Sequence, residues 1–342
     1  MILGDLGADV IKIERAGAGD DTRGWGPPFD DRGQSAYFLS CNRNKLSVAV
    51  DLDRSADQQL VRTLIEGADV VVDNFLPGTL AKFGLDPIAL LERHPRLLWC
   101  TISGFGAGSS RPGYDFVVQA ESGWMSITGE PMGDPMKVGV ALADVLTGRD
   151  AAIAVLAMLA GGRRGSASMR RLHVSLQHSA ISALINVAQN ALVTGAESTR
   201  WGNAHPNLVP YELFDTADQP IVIAVGADAQ FAALVEALDI PMLKDPRYAT
   251  NAGRLAHREA VTGAIRLRLI TAESAEWVGR LQGAHVPCGM VRSVLEALRD
   301  VSASELTGVA PLAPGSVRRV PPTLDQHGAL IRATGWDGVA QA

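Results

Sequence analysis

The stretch Lys137-Val138-Gly139-Val140-Ala141-Leu142-Ala143-Asp144 is the most informative part of this sequence. A long run of small and apolar residues follows it, over about residues 147–159, and predicts a buried helix. An aspartate ahead of a helix is ordinarily an N-cap, because its carboxylate accepts the free N–H groups of the first turn. Taken alone, Asp144 would therefore be interpreted as a cap and not as a catalytic residue.

The first half of the chain alternates short apolar runs with helical patterns. The runs predict strands over residues 10–13, 46–50, 68–72 and 97–102, and the helical patterns lie over residues 58–67 and 87–94. Strands at helix-length intervals are typical of an α/β domain with a parallel, doubly wound, Rossmann-like sheet. Ligands of such sheets bind at the carboxyl ends of the strands.

The pattern of alternating strands and helices ends after a polar turn at 161–171 and a helical stretch at 175–193. Two apolar runs at 211–214 and 221–225, separated by the turn at 216–219, predict a hairpin. Helical patterns follow over 229–238, 254–269 and 275–281. We therefore expect a large α/β domain over residues 1–195 and a smaller α+β domain over residues 205–298.

Composition excludes several classes of function. The net charge is −6 and the basic residues are scattered, so we expect no nucleic-acid partner. The apolar run at 151–160 is only about half of a spanning helix, so we expect no membrane partner. The three cysteines are far apart, which predicts no metal site and indicates reduced thiols in a cytoplasmic protein.

Two more motifs, in fixed order before Asp144, change its interpretation. They are Ser103-Gly104-Phe105-Gly106 and Arg111-Pro112-Gly113-Tyr114-Asp115. With the first stretch they resemble the class III CoA-transferase family, which includes formyl-CoA transferase, carnitine- and bile-acid-CoA transferases and α-methylacyl-CoA racemases. Further similar segments run from LGADVIKIER at 6–15 to PPTLDQH at 321–327. The resemblance implies that Asp144 is a covalent nucleophile.

The resemblance also implies an activity and an assembly. Members of this family move CoA from an acyl-CoA donor to a carboxylic acid, so CoA is a substrate and no cofactor is permanently bound. They form interlocked homodimers, and residues 299–342 are expected to return to the large domain. Members begin with a further strand and a Gly-Pro turn, so we expect a strand upstream of Met1.

A set of CoA contacts is implied in the same way. Arg15 is the strongest phosphate candidate, although an arginine after a strand is more often a solvated surface residue. Asn74 and Phe75 lie on the CoA-lining turn of the family, although Phe75 would also suit ordinary core packing. The remaining implied contacts are Lys82, Arg111, Tyr114 and Asp115.

Three alternatives qualify this interpretation. A racemase needs a histidine where this chain has Tyr114, which favours transfer over racemisation. The segment around Asn203 and His205 resembles the branch that acts on dicarboxylates such as succinate or glutarate, and either His205 binds a distal carboxylate or it stabilises its loop. A third alternative is an acyl-CoA-binding protein without turnover.

Overall fold

The computed structural model describes residues 1–311 and 314–342, which divide into two compact units. The first unit contains residues 1–124, 137–189 and 298–342, and the second contains residues 125–136 and 190–297. The chain thus passes from the first unit into the second twice and returns each time. The fold is mixed α/β, with parallel and antiparallel sheets.

The strands are β1 (Ile11–Arg15), β2 (Leu46–Val50), β3 (Val70–Asp73), β4 (Leu98–Ser103), β5 (Arg171–Ser175), β6 (Tyr211–Phe214), β7 (Ile221–Ala224), β8 (Cys288–Met290), β9 (Ala303–Ser304) and β10 (Gly308–Val309). The helices are α1 (Ile2–Asp5), α2 (Ala36–Asn42), α3 (Ser55–Glu66), α4 (Pro87–Arg93), α5 (Asp115–Glu121), α6 (Trp124–Ile127), α7 (Leu142–Ala160), α8 (Leu176–Ser182), α9 (Ile185–Thr194), α10 (Asp228–Leu238), α11 (Asn251–Ala256), α12 (Arg258–Leu269), α13 (Ser274–Gly283), α14 (Val294–Leu298) and α15 (Gly328–Thr334). No helix of the described residues is long and apolar enough to cross a bilayer.

The parallel strands of the first unit form two sheets, where the sequence predicts one. β1 pairs with β2, and β4 lies between β3 and β5. Among the described residues no strand pairs with the other edge of β1 or of β3. Val72 of β3 is accordingly half exposed, whereas the first four residues of β4 are buried.

Two apolar layers enclose the three-stranded sheet. On one face α7 packs through Ala151 and Val155 against Cys100 of β4. On the other face Trp99 belongs to a cluster with Leu91 of α4. Because alternate residues of a strand face opposite sides, Leu98, Trp99 and Cys100 make both faces of the first half of β4 apolar, as is typical of a central parallel strand.

Residues 314–342 are attached to β2 of the first unit by hydrogen bonds. Asp325 accepts the backbone N–H of Ala49 at 2.8 Å, and its own N–H donates to the Ser47 hydroxyl at 3.0 Å. Arg332 pairs with the Asp57 carboxylate at 2.5 Å. These bonds join positions about 275 residues apart in the sequence.

The second unit has an antiparallel sheet covered by helices. The predicted hairpin is confirmed as β6 and β7, with Tyr211 opposite Ala224. β8 adds a third antiparallel strand that the sequence analysis missed. Ile223, Phe231 and Trp277 lie in one core cluster with less than 4% exposure each.

Several predicted boundaries need correction. The predicted helix at 175–193 is two helices, broken where Ile185 adopts a positive φ of 43°. The predicted helix at 254–269 is interrupted at His257, which ends α11 and begins α12. Strand β5 was not predicted: the predicted turn ends at 171 and the predicted helix begins at 175, because the alternate residues Arg171 and His173 are charged or polar.

Candidate active site

A cleft of about 870 Å³ lies in the first unit at the carboxyl ends of β3 and β4. This is the position at which ligands of parallel sheets bind. Five of the residues singled out from the sequence line it, namely Asn74, Phe75, Arg111, Tyr114 and Asp144. Arg15, Lys82 and Asp115 are not among the lining residues.

Asp144 is the third residue of α7 and not its N-cap. The helix begins at Leu142, and the cap position is Ala141, whose side chain can accept no hydrogen bond. The Asp144 side chain is exposed to the cleft. The cap interpretation of Asp144 is therefore wrong, because the acceptor for the first turn comes from another residue.

Asp115 supplies that acceptor. Its Oδ1 atom accepts the backbone N–H of Ala143 at 2.8 Å and that of Asp144 at 3.3 Å. Its Oδ2 atom accepts from the Gln119 amide at 2.6 Å. The carboxylate predicted to contact CoA thus binds the helix terminus that carries the nucleophile candidate.

Gln119 extends this network to the KVGV stretch. Its side chain is fully buried, and its Oε1 atom accepts the backbone N–H of Val138 at 2.9 Å. Asp115 and Gln119 lie four residues apart on α5, so they share one face of the helix. A single helix therefore holds both ends of the segment between Val138 and Asp144.

The electrostatics of Asp144 follow from this arrangement. Loss of hydration, and then the negative charge of Asp115, raise the pKa of Asp144 to about 6. Its place in the first turn of a helix favours the ionised form. At neutral pH the Asp144 carboxylate is therefore charged, accessible from the cleft and more basic than an ordinary aspartate.

The turn after β3 is anchored by Asp73. Its Oδ1 atom accepts the backbone N–H of Phe75 at 2.9 Å. Its Oδ2 atom accepts from the Trp99 indole at 2.6 Å and from the Thr101 hydroxyl at 2.8 Å. Phe75 is 45% exposed in the cleft, so it is not a core residue and is free to contact a ligand.

Close backbone contact brings the two upstream motifs together. A Cβ atom on Gly104 would lie 2.5 Å from the Cα atom of Gly113, and one on Gly113 would lie 2.2 Å from the Cα atom of Gly104. Neither position admits a side chain. The glycines therefore set the strand end at Ser103 beside Tyr114 and the start of α5.

The predicted cationic contacts differ in their surroundings. Arg15 is exposed and pairs with Asp21 at 3.2 Å. Arg111 lies over the Phe105 ring at 3.9 Å from its centroid and forms two bonds to Glu121, of which the shorter is 2.6 Å. Lys82 is exposed in the short turn after Leu80.

Several residues that line the cleft were not predicted from the sequence, among them two aromatic residues and two cationic or polar residues of β5. Trp25 and Tyr37 form an edge-to-face pair with ring centroids 4.9 Å apart, and burial and then the charge of Asp144 raise the pKa of Tyr37. Arg171 and His173 come from β5. The alternation Arg171, His173, Ser175 against Leu172 and Val174 was the signal for a strand with one polar face.

Asn203 and His205 lie in the second unit. The His205 Nδ1 atom accepts the backbone N–H of Asn207 at 3.0 Å, and the His205 backbone N–H donates to Tyr211 at 2.9 Å. Burial, and then the charge of Arg258, lower the pKa of His205. A neutral imidazole that bonds its own loop matches the loop-stabilising alternative.

Comparison with known proteins places these features in a family. The profile of CoA-transferase family III matches residues 1–334. This chain belongs to CoA-transferase family III. Membership of this family shows that the protein is a CoA-transferase. It is consistent with the order of the three motifs that end at Asp144.

Relatives of this CoA-transferase share most of its length. It is 41% identical over 314 residues to the succinate–glutarate CoA-transferase of Agrobacterium fabrum, covering 88% of this chain and 77% of that protein. It is 39% identical over 304 residues to the mouse succinyl-CoA:glutarate CoA-transferase, covering 88% and 69%. A solved CAIB/BAIF family protein from Brucella suis superposes with a TM-score of 0.83 at 38% identity, covering 97% of this chain and 93% of that one.

Proposed function

We propose that this enzyme transfers CoA from a donor acyl-CoA to a dicarboxylate of the succinate or glutarate type, with Asp144 as covalent nucleophile. The observation that carries the proposal is the Asp144 carboxylate, exposed in the cleft on a helix terminus that Asp115 holds. The relatives named for succinate and glutarate support the choice of substrate class. CoA enters as a substrate, and no other cofactor takes part.

The proposed reaction proceeds through two kinds of covalent intermediate. A carboxylate oxygen of Asp144 attacks the thioester carbonyl, the C–S bond breaks, and a mixed anhydride and CoA thiolate result. The thiolate attacks the Asp144 carbonyl of the anhydride, which releases the donor acid and leaves an aspartyl-CoA thioester. Each step conserves an activated acyl bond, so splitting the exchange lowers its barriers without an external energy source.

The second half repeats these steps with the acceptor. Its carboxylate attacks the aspartyl thioester, releasing CoA thiolate and forming a second anhydride. The thiolate then attacks the carbonyl of the acceptor acid, which gives the product acyl-CoA and frees Asp144. Asp144 must be ionised to begin each cycle, and a pKa of about 6 leaves it largely ionised at neutral pH.

The test is transfer between succinyl-CoA and labelled glutarate, followed by mass spectrometry. Formation of labelled glutaryl-CoA supports the proposal, and hydroxylamine added during turnover should modify Asp144. Binding of succinyl-CoA without transfer to any of a panel of mono- and dicarboxylic acids would favour the acyl-CoA-binding alternative.

Tyr114 argues against racemisation. It lines the cleft with 64% of its side chain exposed, and it stands where a racemase of this family has a histidine. A phenol hydroxyl is a poor general base at neutral pH compared with an imidazole. Deuterium exchange at the α-carbon of a 2-methylacyl-CoA in heavy water should be absent, and exchange as fast as transfer would overturn this assignment.

We propose that Asn203 and His205, which both lie in the second unit, contribute to acceptor binding. His205→Ala should raise the KM for glutarate by about twofold to threefold, because the loop bond at its Nδ1 atom limits its direct contribution. Thermal denaturation of the same variant separates binding from loop stability. A lowered melting temperature with an unchanged KM would leave His205 only the structural role.

The proposed assembly is an interlocked homodimer with a doubly wound, Rossmann-like large domain that residues 299–342 complete. Its support is the order of the chain, which leaves the first unit and returns to it. Interlocked subunits separate only by unfolding, so dissociation should coincide with denaturation. Sedimentation at nanomolar concentration tests this, and a folded monomer would contradict it.

A further inference from the structure

A row of polar side chains crosses one face of the sheet β3–β4–β5. Asp73 lies opposite Thr101, and Thr101 lies opposite His173. Arg171 is two residues before His173 and therefore faces the same side. Asp73, Thr101, Arg171 and His173 all line the cleft.

Arg171 carries a charge without a partner. Within the described part of the chain its guanidinium makes no hydrogen bond and no ion pair, and its Nε atom is buried without an acceptor. The neighbouring Arg170 donates instead to three carbonyls, including that of Leu97 at 2.7 Å. Because an unsatisfied buried donor is costly, an unpaired arginine in a cleft indicates a missing anion.

The nearby carboxylates of Asp73 and Asp86 form no ion pair with Arg171 among the described residues. Both oxygens of Asp73 are committed, to Phe75 on one side and to Trp99 and Thr101 on the other. Asp86, which also lines the cleft, caps α4 through the backbone N–H of Ala89 at 2.9 Å. This end of the cleft therefore offers a guanidinium donor with no acceptor in place.

His173 completes the donor set. Burial, and then the charge of Arg171, lower the pKa of His173, while the Asp73 charge acts in the opposite direction. The neutral imidazole can donate one N–H beside the guanidinium without adding a second positive charge. A fork of arginine donors next to an imidazole N–H matches the oxygens of a phosphate or a carboxylate.

Distance decides between these two anions. Leu176 packs against Ala143, next to the nucleophile, and lies three residues beyond His173 and five beyond Arg171. Because β5 ends at Ser175, two of these steps from His173 and four from Arg171 have the rise of a strand, which gives about 7 Å and about 13 Å. The two carboxyl carbons of a five-carbon dicarboxylate lie at most about 5 Å apart, whereas the dozen or so bonds from the CoA sulfur to its first phosphorus span about 15 Å.

We propose that Arg171 and His173 bind a phosphate group of CoA at the end of the cleft remote from Asp144. The proposal rests on the proposed function for the identity of the ligand. It assigns the phosphate to residues other than Arg15 and Lys82, which do not line the cleft.

The experiment compares Arg171→Gln, Arg171→Lys and His173→Ala with the native enzyme. Arg171→Gln should raise the KM for succinyl-CoA by about tenfold to a hundredfold, with kcat and the KM for glutarate within about threefold of native, since a charged hydrogen bond to bound substrate is lost. Arg171→Lys should recover part of the loss, and His173→Ala should show a smaller one. Arg164→Gln, an exposed arginine of the preceding turn, is the matched control.

Two further measurements identify which phosphate of CoA is bound and keep the test informative if transfer activity is lost. With 3′-dephospho-CoA thioesters, a vanished difference between native enzyme and Arg171→Gln assigns the 3′-phosphate, and a persistent difference assigns the diphosphate. Calorimetric titration with free CoA measures the same loss without turnover, so it remains informative if transfer fails. A raised KM for glutarate alone, or unchanged CoA affinity in a variant that melts like native enzyme, would overturn the proposal.

Discussion

The two ends of the cleft carry opposite charges and differ in their hydrogen bonding. At one end Asp144 and Asp115 lie together, neither in an ion pair among the described residues, and Asp115 binds backbone N–H groups and the Gln119 amide. At the other end the Arg171 guanidinium has no acceptor among residues 1–311 and 314–342, and its Nε atom is buried. Loss of hydration and the like charge of Asp115 make the Asp144 carboxylate more basic than an ordinary aspartate, which suits a nucleophile, whereas an unpaired cation suits anion binding.

The largest expected effect comes from removing the proposed nucleophile. Asp144→Ala should lower the transfer rate at least about a thousandfold, because in the proposed mechanism the Asp144 carboxylate forms both anhydrides. Its affinity for CoA should stay close to native, since the binding residues are at the other end. Asp150→Asn, two turns along the same helix, is the control, and an Asp144→Ala variant with near-native turnover would exclude this residue as nucleophile.

Asp115→Asn should have the next largest effect and should change the pH profile. We expect kcat at pH 8 to fall by about tenfold, because the amide cannot accept on both sides as the carboxylate does. The Asp115 charge raises the pKa of Asp144, so its removal lowers that pKa and moves the acid limb of kcat from about pH 6 to lower pH. If Asp115 had only a structural role, Asp115→Asn would lower kcat without moving the acid limb of the pH profile.

Glu121→Gln should give the smallest effect, in the favourable direction. Glu121 binds Arg111, which lines the cleft, and both side chains are exposed. Releasing Arg111 should lower the KM for succinyl-CoA by about twofold at low salt, and the difference should disappear at high salt. An unchanged KM at low ionic strength would show that Arg111 does not meet the substrate.

The alternation of strands and helices could be predicted from the sequence because apolar periodicity is a local property. The strand at Leu46–Val50 is confirmed at both ends, and β3 and β4 begin and end within two residues of their predictions. β5 was missed because its cleft-facing residues, Arg171 and His173, are polar, and a functional surface interrupts the apolar pattern of a strand.

The candidate site was predicted in its parts but not in its connections. The motifs identified Asp144 and Asp115, yet the bond from Asp115 to the start of α7 joins residues 28 and 29 positions apart. The residue that accepts the N–H groups at the start of α7 is determined by the packing of α5 against α7. That packing cannot be predicted from either segment alone. The same holds for Arg171, whose lack of a partner is visible only in three dimensions.

The attachment of residues 314–342 to β2 has a consequence for how the protein is made. The Asp325–Ala49 bond joins positions 276 residues apart, so β2 cannot form this bond until long after β2 itself has been translated. At about 5 to 20 residues per second, that interval is roughly 15 to 55 seconds. The core of the second unit lies within residues 209–286, which are translated before residues 314–342, so β2 obtains its last hydrogen bonds only after the sequence of that core has been made.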